Sequence, residues 1–354
     1  MDDYRRSRPV AAVAATVGSL LALVALAAGS AGAHEEYVAD EEYDVPVAEF
    51  LTDALTDPLV VGPLVAGGLA SLAVLGGYLY VRPAPRDVAA FRDAMGEYTR
   101  YVPWLLRISF GIPLIGAGFE GYFVSPAVEV ELRLLQVGLG FLLLFGLGTR
   151  VVALAALAAY LVGLAFRPLL LLQLEFVGGL LAVALVGSGK PSADHVLQRM
   201  AGMHGTLYGR VDVVYDHARR FQKWNEPYKR YLPTVVRVGL GATFIYLGLT
   251  QKILRPGIAL AVVDQYDLTS VVPVSPELWV MGAGLAEIAL GVALILGLFT
   301  RATALSAIAM FTLTLFALPD DPVLAHVALF GMASVLLITG GGPLAADGRL
   351  TEVD

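Results

Sequence analysis

Residues Gly146–Ala156 read GLGTRVVALAA, and residues Gly297–Ala307 read GLFTRATALSA. Gly, Leu, Thr and Arg recur in register, followed by Ala, Leu and Ala, and each copy lies between two long apolar runs. So brief a polar break reads as a hairpin turn between two membrane-crossing helices. An Arg there can carry its guanidinium out to the headgroups. A Thr there can cap the helix that follows.

The rest of the chain agrees. Of 354 residues 57% are hydrophobic and only 16% charged, with mean hydropathy +0.71. A water-soluble domain carries about 25% charged residues. Apolar runs near the length of a bilayer-crossing helix recur throughout, bounded by Pro, Gly and charge. Strict apolar/polar alternation is absent, which excludes a barrel, so the chain is expected to be an all-α polytopic helical membrane protein. It has no cysteine, which excludes disulfides, thiolate nucleophiles, zinc–cysteine sites and ordinary iron–sulfur clusters.

The expected spans are 9–28, 58–81, 102–124, 132–147, 151–166, 169–187, 233–254, 278–298, 302–318 and 322–339. Cytoplasmic loops are enriched in Lys and Arg. With these spans Arg5, Arg6, Arg8, Arg82, Arg86, Arg92, Arg100, Arg150, Arg301 and the segment Lys190–Arg230 all fall on one side. Both termini are then cytoplasmic and the protein sits in the cell membrane. The segment His34–Asp57, with nine carboxylates and no Lys or Arg, is an external loop. Residues 1–33 read equally as an anchor or as a cleaved signal peptide, because AGSAGAH resembles an A-x-A cleavage site.

The repeat extends beyond the Thr-Arg turns. Tyr101-Val102-Pro103 matches Tyr231-Leu232-Pro233, Arg107 matches Arg237, Gly111 matches Gly241, and Gly118 matches Gly248. Counting from each Thr pairs Gln136 with Glu287 and Glu175 with His326. Two parallel four-helix units in tandem follow, preceded by one or two extra N-terminal spans. The expected divisions are 1–33, the acidic loop 34–57, a span and linker 58–100, a degenerate first unit 101–189, a basic linker 190–232 with an amphipathic helix, and the second unit with its tail 233–354.

The second unit resembles the DoxX family of four-helix membrane proteins. The resemblance rests on RVGLGATFIYLGLTQK (Arg237–Lys252), GLAEIALG (Gly284–Gly291), GLFTR (Gly297–Arg301) and GGGPLAADGRL (Gly340–Leu350). Family members resemble a subunit of thiosulfate:quinone oxidoreductase, and some are linked to membrane complexes that counter oxidative stress. The resemblance therefore implies a membrane subunit of a quinone-linked or oxidative-stress redox system. Quinone is the one cofactor it suggests, and a soluble redox partner at the cytoplasmic face would supply electrons.

Ionisable groups inside a membrane are functional candidates by default. Glu287, His326 and Lys252 are the leading ones, expected in the outer half of the second unit. Gln251, Asp264, Tyr266, Arg237, Gln136 and Glu175 are candidate binding residues. The bland alternative is a structural pair, Glu287 with Lys252 or with Arg237. Arg150 and Arg301 are read as membrane-edge anchors.

A two-histidine membrane haem is excluded, since only His326 falls in a span. No phosphate loop, GxSxG or HExxH motif occurs. No metal site is expected, because His34 with Glu35 and Glu36 reads as a flexible acidic loop. Nucleic acid binding has no support, and the lipid bilayer is the expected partner. Besides the redox subunit, two readings stay open: a small-molecule transporter or binder, and a scaffold recruiting a soluble partner through residues 190–230.

Overall fold

In a computed structural model the described residues are 43–81, 85–203, 206 and 215–348. The first expected span, residues 9–28, lies outside them. Among the described residues the regular structure is helical apart from one two-stranded ribbon. Helices α1 (Val47–Thr56), α2 (Pro58–Val81) and α3 (Pro85–Glu97) come first. The first unit is α4 (Val102–Glu120), the ribbon β1 (Tyr122–Phe123) and β2 (Ser125–Glu129), α5 (Arg133–Phe145), α6 (Thr149–Phe166) and α7 (Glu175–Val186). The linker carries α8 (Ala193–Gly202) and α9 (Tyr215–Asn225). The second unit is α10 (Leu232–Leu247), α11 (Pro256–Gln265), α12 (Leu268–Val271), α13 (Pro276–Leu296), α14 (Thr300–Ala317) and α15 (Val323–Thr339).

Among the described residues six helical stretches are long and apolar enough to cross a membrane: Pro58–Val81, Pro85–Glu120, Thr149–Phe166, Arg219–Ile253, Pro276–Leu296 and Thr300–Ala317. Three expected spans are shorter apolar helices, Arg133–Phe145, Glu175–Val186 and Val323–Thr339. At about 1.5 Å rise per residue, α5 covers roughly 20 Å of a ~30 Å hydrocarbon core. The ribbon lies between α4 and α5. Val124, Val128 and Ser125 are buried within it, and β2 packs against the turn Pro168–Gln173. The expected span 169–187 is broken: a 3-10 turn, Pro168–Gln173, precedes α7.

Within each unit the first helix packs on the second and on the fourth, and the third packs on the fourth. Glycine lets the first pair approach closely. A Cβ on Gly111 would lie 3.0 Å from the Gly140 carbonyl oxygen, and one on Gly241 2.6 Å from that of Gly291. Between units, α4 packs on α15 and α7 on α10. This exchange of first against fourth helices is reciprocal, as a two-fold arrangement requires. At its centre a Cβ on Gly178 would sit 2.6 Å from Gly239 Cα. The main core cluster runs through all four of these helices, with Leu106, Leu180, Val236 and Met332 fully buried.

The Thr-Arg turns close one end of the bundle in the same way twice. Arg107, 1% exposed, donates from Nη1 to the Leu144 carbonyl and from Nη2 to the Pro191 carbonyl. Arg237, 2% exposed, donates to the Leu294, Ile295 and Gly341 carbonyls. Arg150 Nε donates to the Ala184 carbonyl, 34 residues on. Arg301 Nε donates to the Leu337 carbonyl, 36 residues on. All four guanidiniums thus satisfy carbonyls at or beyond helix C-termini, where positive charge also suits the helix dipole.

The threonines do not cap as expected. Thr149 and Thr300 are the first helical residues, and a distant aspartate is the cap. Asp194 accepts from Gly148 N at 2.6 Å and Thr149 N at 3.0 Å. Asp347 accepts from Phe299 N at 2.5 Å and Thr300 N at 2.9 Å. Each unit therefore ends by tying its tail to its own middle turn.

The spacing of these arginine bonds, 34 residues in one unit and 36 in the other, corrects the residue pairing. The fourth helices are offset by two further residues, so Gln173, not Glu175, stands opposite His326.

Candidate functional site

At the end opposite the Thr-Arg turns, α10 runs into a π-helical turn, Gly248–Ile253. Such turns are uncommon and concentrate at functional sites. Gly248 and Gly284 bring this turn against α13: a Cβ on Gly248 would meet the Gly284 carbonyl oxygen at 2.7 Å. The approach sets Lys252 Nζ 2.9 Å from Glu287 Oε1, with side chains 22% and 14% exposed. On the far wall His326, in the first turn of α15, places Nε2 3.5 Å from Asp321 Oδ2. His326 Nδ1 lies 3.3 Å from the Pro322 carbonyl oxygen.

Both pairs line one cavity of about 130 Å³. Phe244, Met310, Phe311 and Leu329 form its apolar walls, and Val262 of α11 faces it from the covering segment. Gln173 and Glu175 of the first unit close the remaining side. Glu175 is 1% exposed, and its Oε2 has no hydrogen-bond partner among the described residues. Gln173 Oε1, Gln251 Oε1 and Glu287 Oε2 are buried and unpartnered as well. Acceptor oxygens left in this state cost about 1–3 kcal/mol each unless a donor meets them. Asp321 sits in the turn between α14 and α15. Burial pushes its carboxyl above the usual carboxylate range, and the charges of His326 and Lys252 pull the other way.

The structure thus gathers Glu287, Lys252, His326, Gln251 and Glu175 in one place. It keeps the other candidates apart. Arg237 is at the Thr-Arg end, bonded to carbonyls, so the pairing of Glu287 with Arg237 does not occur. Gln136 bonds the Leu114 and Tyr122 carbonyls and holds the ribbon to α4. Asp264 accepts from Tyr43 Oη at 2.7 Å, and Tyr266 Oη donates to Asp320 at 3.0 Å; neither lines the cavity. These bonds brace the segment above it. α1 contributes Phe50 and Ala54 to one buried cluster with Ala259, Val262 and Val263 of α11 and Val280 and Met281 of α13.

Asp321 and Gln173 are the residues that sequence reasoning missed. Asp321 was signalled by its place one turn before His326 at a helix start, where a carboxylate is favoured. Gln173 carried no signal until the fourth helices were set in register. Among the described residues no cluster of His, Asp and Glu could hold a metal ion.

An all-helical polytopic membrane protein, with an ionisable cavity buried at one end of its bundle, is the class that fold and site define. Residues 232–326 match the family model for DoxX, so this stretch of the chain is a DoxX domain. The match runs from the start of α10 to the first turn of α15, and so takes in Lys252, Glu287, Asp321 and His326. Comparison with curated proteins and with solved structures gives no match.

Proposed function

We propose that this protein is a membrane subunit of a quinone-linked redox system, with the cavity of the DoxX domain receiving the quinone head group. The observation that carries the reading is one small cavity whose apolar walls are flanked by two ion-pair-forming couples, Lys252–Glu287 and His326–Asp321. A cavity of about 150 Å³ is known to take one benzene ring. The ~130 Å³ here suits a single head-group ring. It falls well short of the ~300–1,000 Å³ usual for drug-sized ligands. The ring's tail would leave between helices into the bilayer.

A bound quinone supplies two-electron, two-proton chemistry. Lys252 is placed to donate to a head-group oxygen. Glu287 and Glu175, each with an unpartnered buried oxygen, are placed to accept from a head-group hydroxyl or to hold its proton. His326 and Asp321, nearest the turn, would pass protons between the cavity and water. Electrons would come from a soluble partner at the cytoplasmic face. We further propose that the first unit is a diverged DoxX-like unit whose contribution to the site is Gln173 and Glu175.

The small volume weighs against a transporter of large solutes. The scaffold reading draws on α9 and the 3-10 turn after it, where Phe221, Trp224 and Tyr228 are exposed and their tilted rings follow one another at 5.5 and 5.3 Å. Such a strip also suits the membrane surface.

The test is mass spectrometry of small molecules retained by the gently solubilised chain. A quinone in the wild type, reduced at least tenfold in Glu287→Gln, is the expected result. A wild type that retains none, and shows no quinone-dependent turnover with membranes of its host, would overturn the reading.

A further inference from the structure

A second concavity lies at the Thr-Arg end, remote from the cavity just described. It is a groove of about 790 Å³ between α2–α3 and the ends of α14 and α15. Arg92 and Arg301 both line it, close enough for their charges to repel. Arg301 spends Nε and Nη2 on the Leu337 and Ile338 carbonyls, and its Nη1 has no hydrogen-bond partner among the described residues. Arg92, on exposed α3, has neither hydrogen bond nor ion pair among them. Thr300 is fully buried at the groove, and its hydroxyl has no partner among the described residues. Two acids share the lining. Asp347 is engaged by the Phe299 and Thr300 amides, while Asp93 makes no ion pair with Arg92.

The matching place in the first unit is filled. There Arg150 is covered by the Phe221 ring of α9, 5.4 Å from its centroid. In the second unit the same guanidinium faces open space with a second arginine across from it.

The groove is continuous with an apolar surface. Leu79, Leu305 and Leu337 form its walls, and Leu305 is 55% exposed. Helix α2 beside it carries no charged residue in its 24, and only Val60 of it is buried. A ligand satisfying this site has an anionic group for the arginines and hydrocarbon for the leucines. Basic recesses beside membrane helices bind the head groups of anionic lipids for this reason.

We propose that this groove is a binding site for an anionic phospholipid, its phosphate held between Arg92 and Arg301 and its acyl chains laid along α2 and α14. The site would fix the position of α2, which has few protein contacts of its own, against the DoxX domain.

The test is native mass spectrometry of the full chain in detergent, titrated separately with a dianionic phospholipid, with phosphatidylcholine and with inorganic phosphate. The dianionic lipid should bind with saturation, phosphatidylcholine at least tenfold more weakly. Arg92→Ala should weaken the dianionic lipid about fivefold, the worth of one arginine at a charged surface. Arg92→Lys should stay near wild type, and Arg100→Ala should have no effect. Arg92 is exposed and unbonded, so its variants should fold normally. Equal binding of both lipids, indifference to Arg92→Ala, or displacement of the lipid by inorganic phosphate would overturn the proposal.

Discussion

Thr149 and Thr300 occupy the same place in two turns, yet their hydroxyls differ. Thr149 Oγ1 donates to Asp194 at 2.9 Å, and Thr300 Oγ1 has no partner among the described residues. Removing a hydrogen-bonded hydroxyl costs about 0.5–1.5 kcal/mol, whereas removing an unpartnered buried one is neutral or stabilising. Thr149→Val should therefore lower the unfolding temperature in detergent and Thr300→Val should not. Equal losses would show that the threonines act through packing. Asp347→Ala removes the cap on α14 and should cost about 0.5–2 kcal/mol. The cap carries extra weight because the residue before Thr300 is Phe299, at φ 48°, where the first unit has Gly148 at φ 59°. A left-handed Phe is strained by about 1–2 kcal/mol. Its ring recovers part of that by meeting Tyr78 edge-on at 5.8 Å.

At the scale of the element, the π turn and the helix it faces decide the site. The Lys252–Glu287 pair is mostly buried, and breaking such a pair costs about 3–5 kcal/mol because one charge is stranded. Lys252→Met should destabilise by that order, and adding Glu287→Leu should restore most of the loss. A double variant no better than the single, read by thermal unfolding, would show that the pair contributes nothing as a pair. The helices themselves were largely legible in the sequence. The run 58–81 is helical over Pro58–Val81, because apolar length bounded by Pro and charge reports directly on the bilayer. The break before Glu175 was hidden, since the run Pro168–Gln173 is as apolar as the helix that follows. So was the ribbon, whose short strands leave no period to detect. Glu287, Lys252 and His326 could be picked out because charge is rare in such runs. Arg237 misled, because a buried guanidinium serving carbonyls looks the same in sequence as one serving a ligand.

At the scale of the whole molecule, the two units meet through backbone. Gly178 and Gly239 leave no room for a side chain between α7 and α10. Gly178→Leu must push those helices apart, at a cost of about 1–3 kcal/mol or more. It should also move Glu175, at the start of α7, and Gln173, in the turn before it, away from the cavity. The expected result is a less stable protein whose ligand retention falls in parallel, though every side chain of the DoxX domain is unchanged. A destabilised variant with full retention would show that the site belongs to the second unit alone.

The brace between Tyr43 and Asp264 has a practical bearing on how the protein is handled. A fragment trimmed to residues 232–326 would keep Lys252, Glu287 and His326, yet forfeit the bracing helix Val47–Thr56, the Gln173–Glu175 side and most of Val323–Thr339. Its cavity would stand open to detergent. Experiments on the isolated stretch would then report on a vessel missing one wall, and expression vectors should carry the chain from ahead of Tyr43 through Asp347.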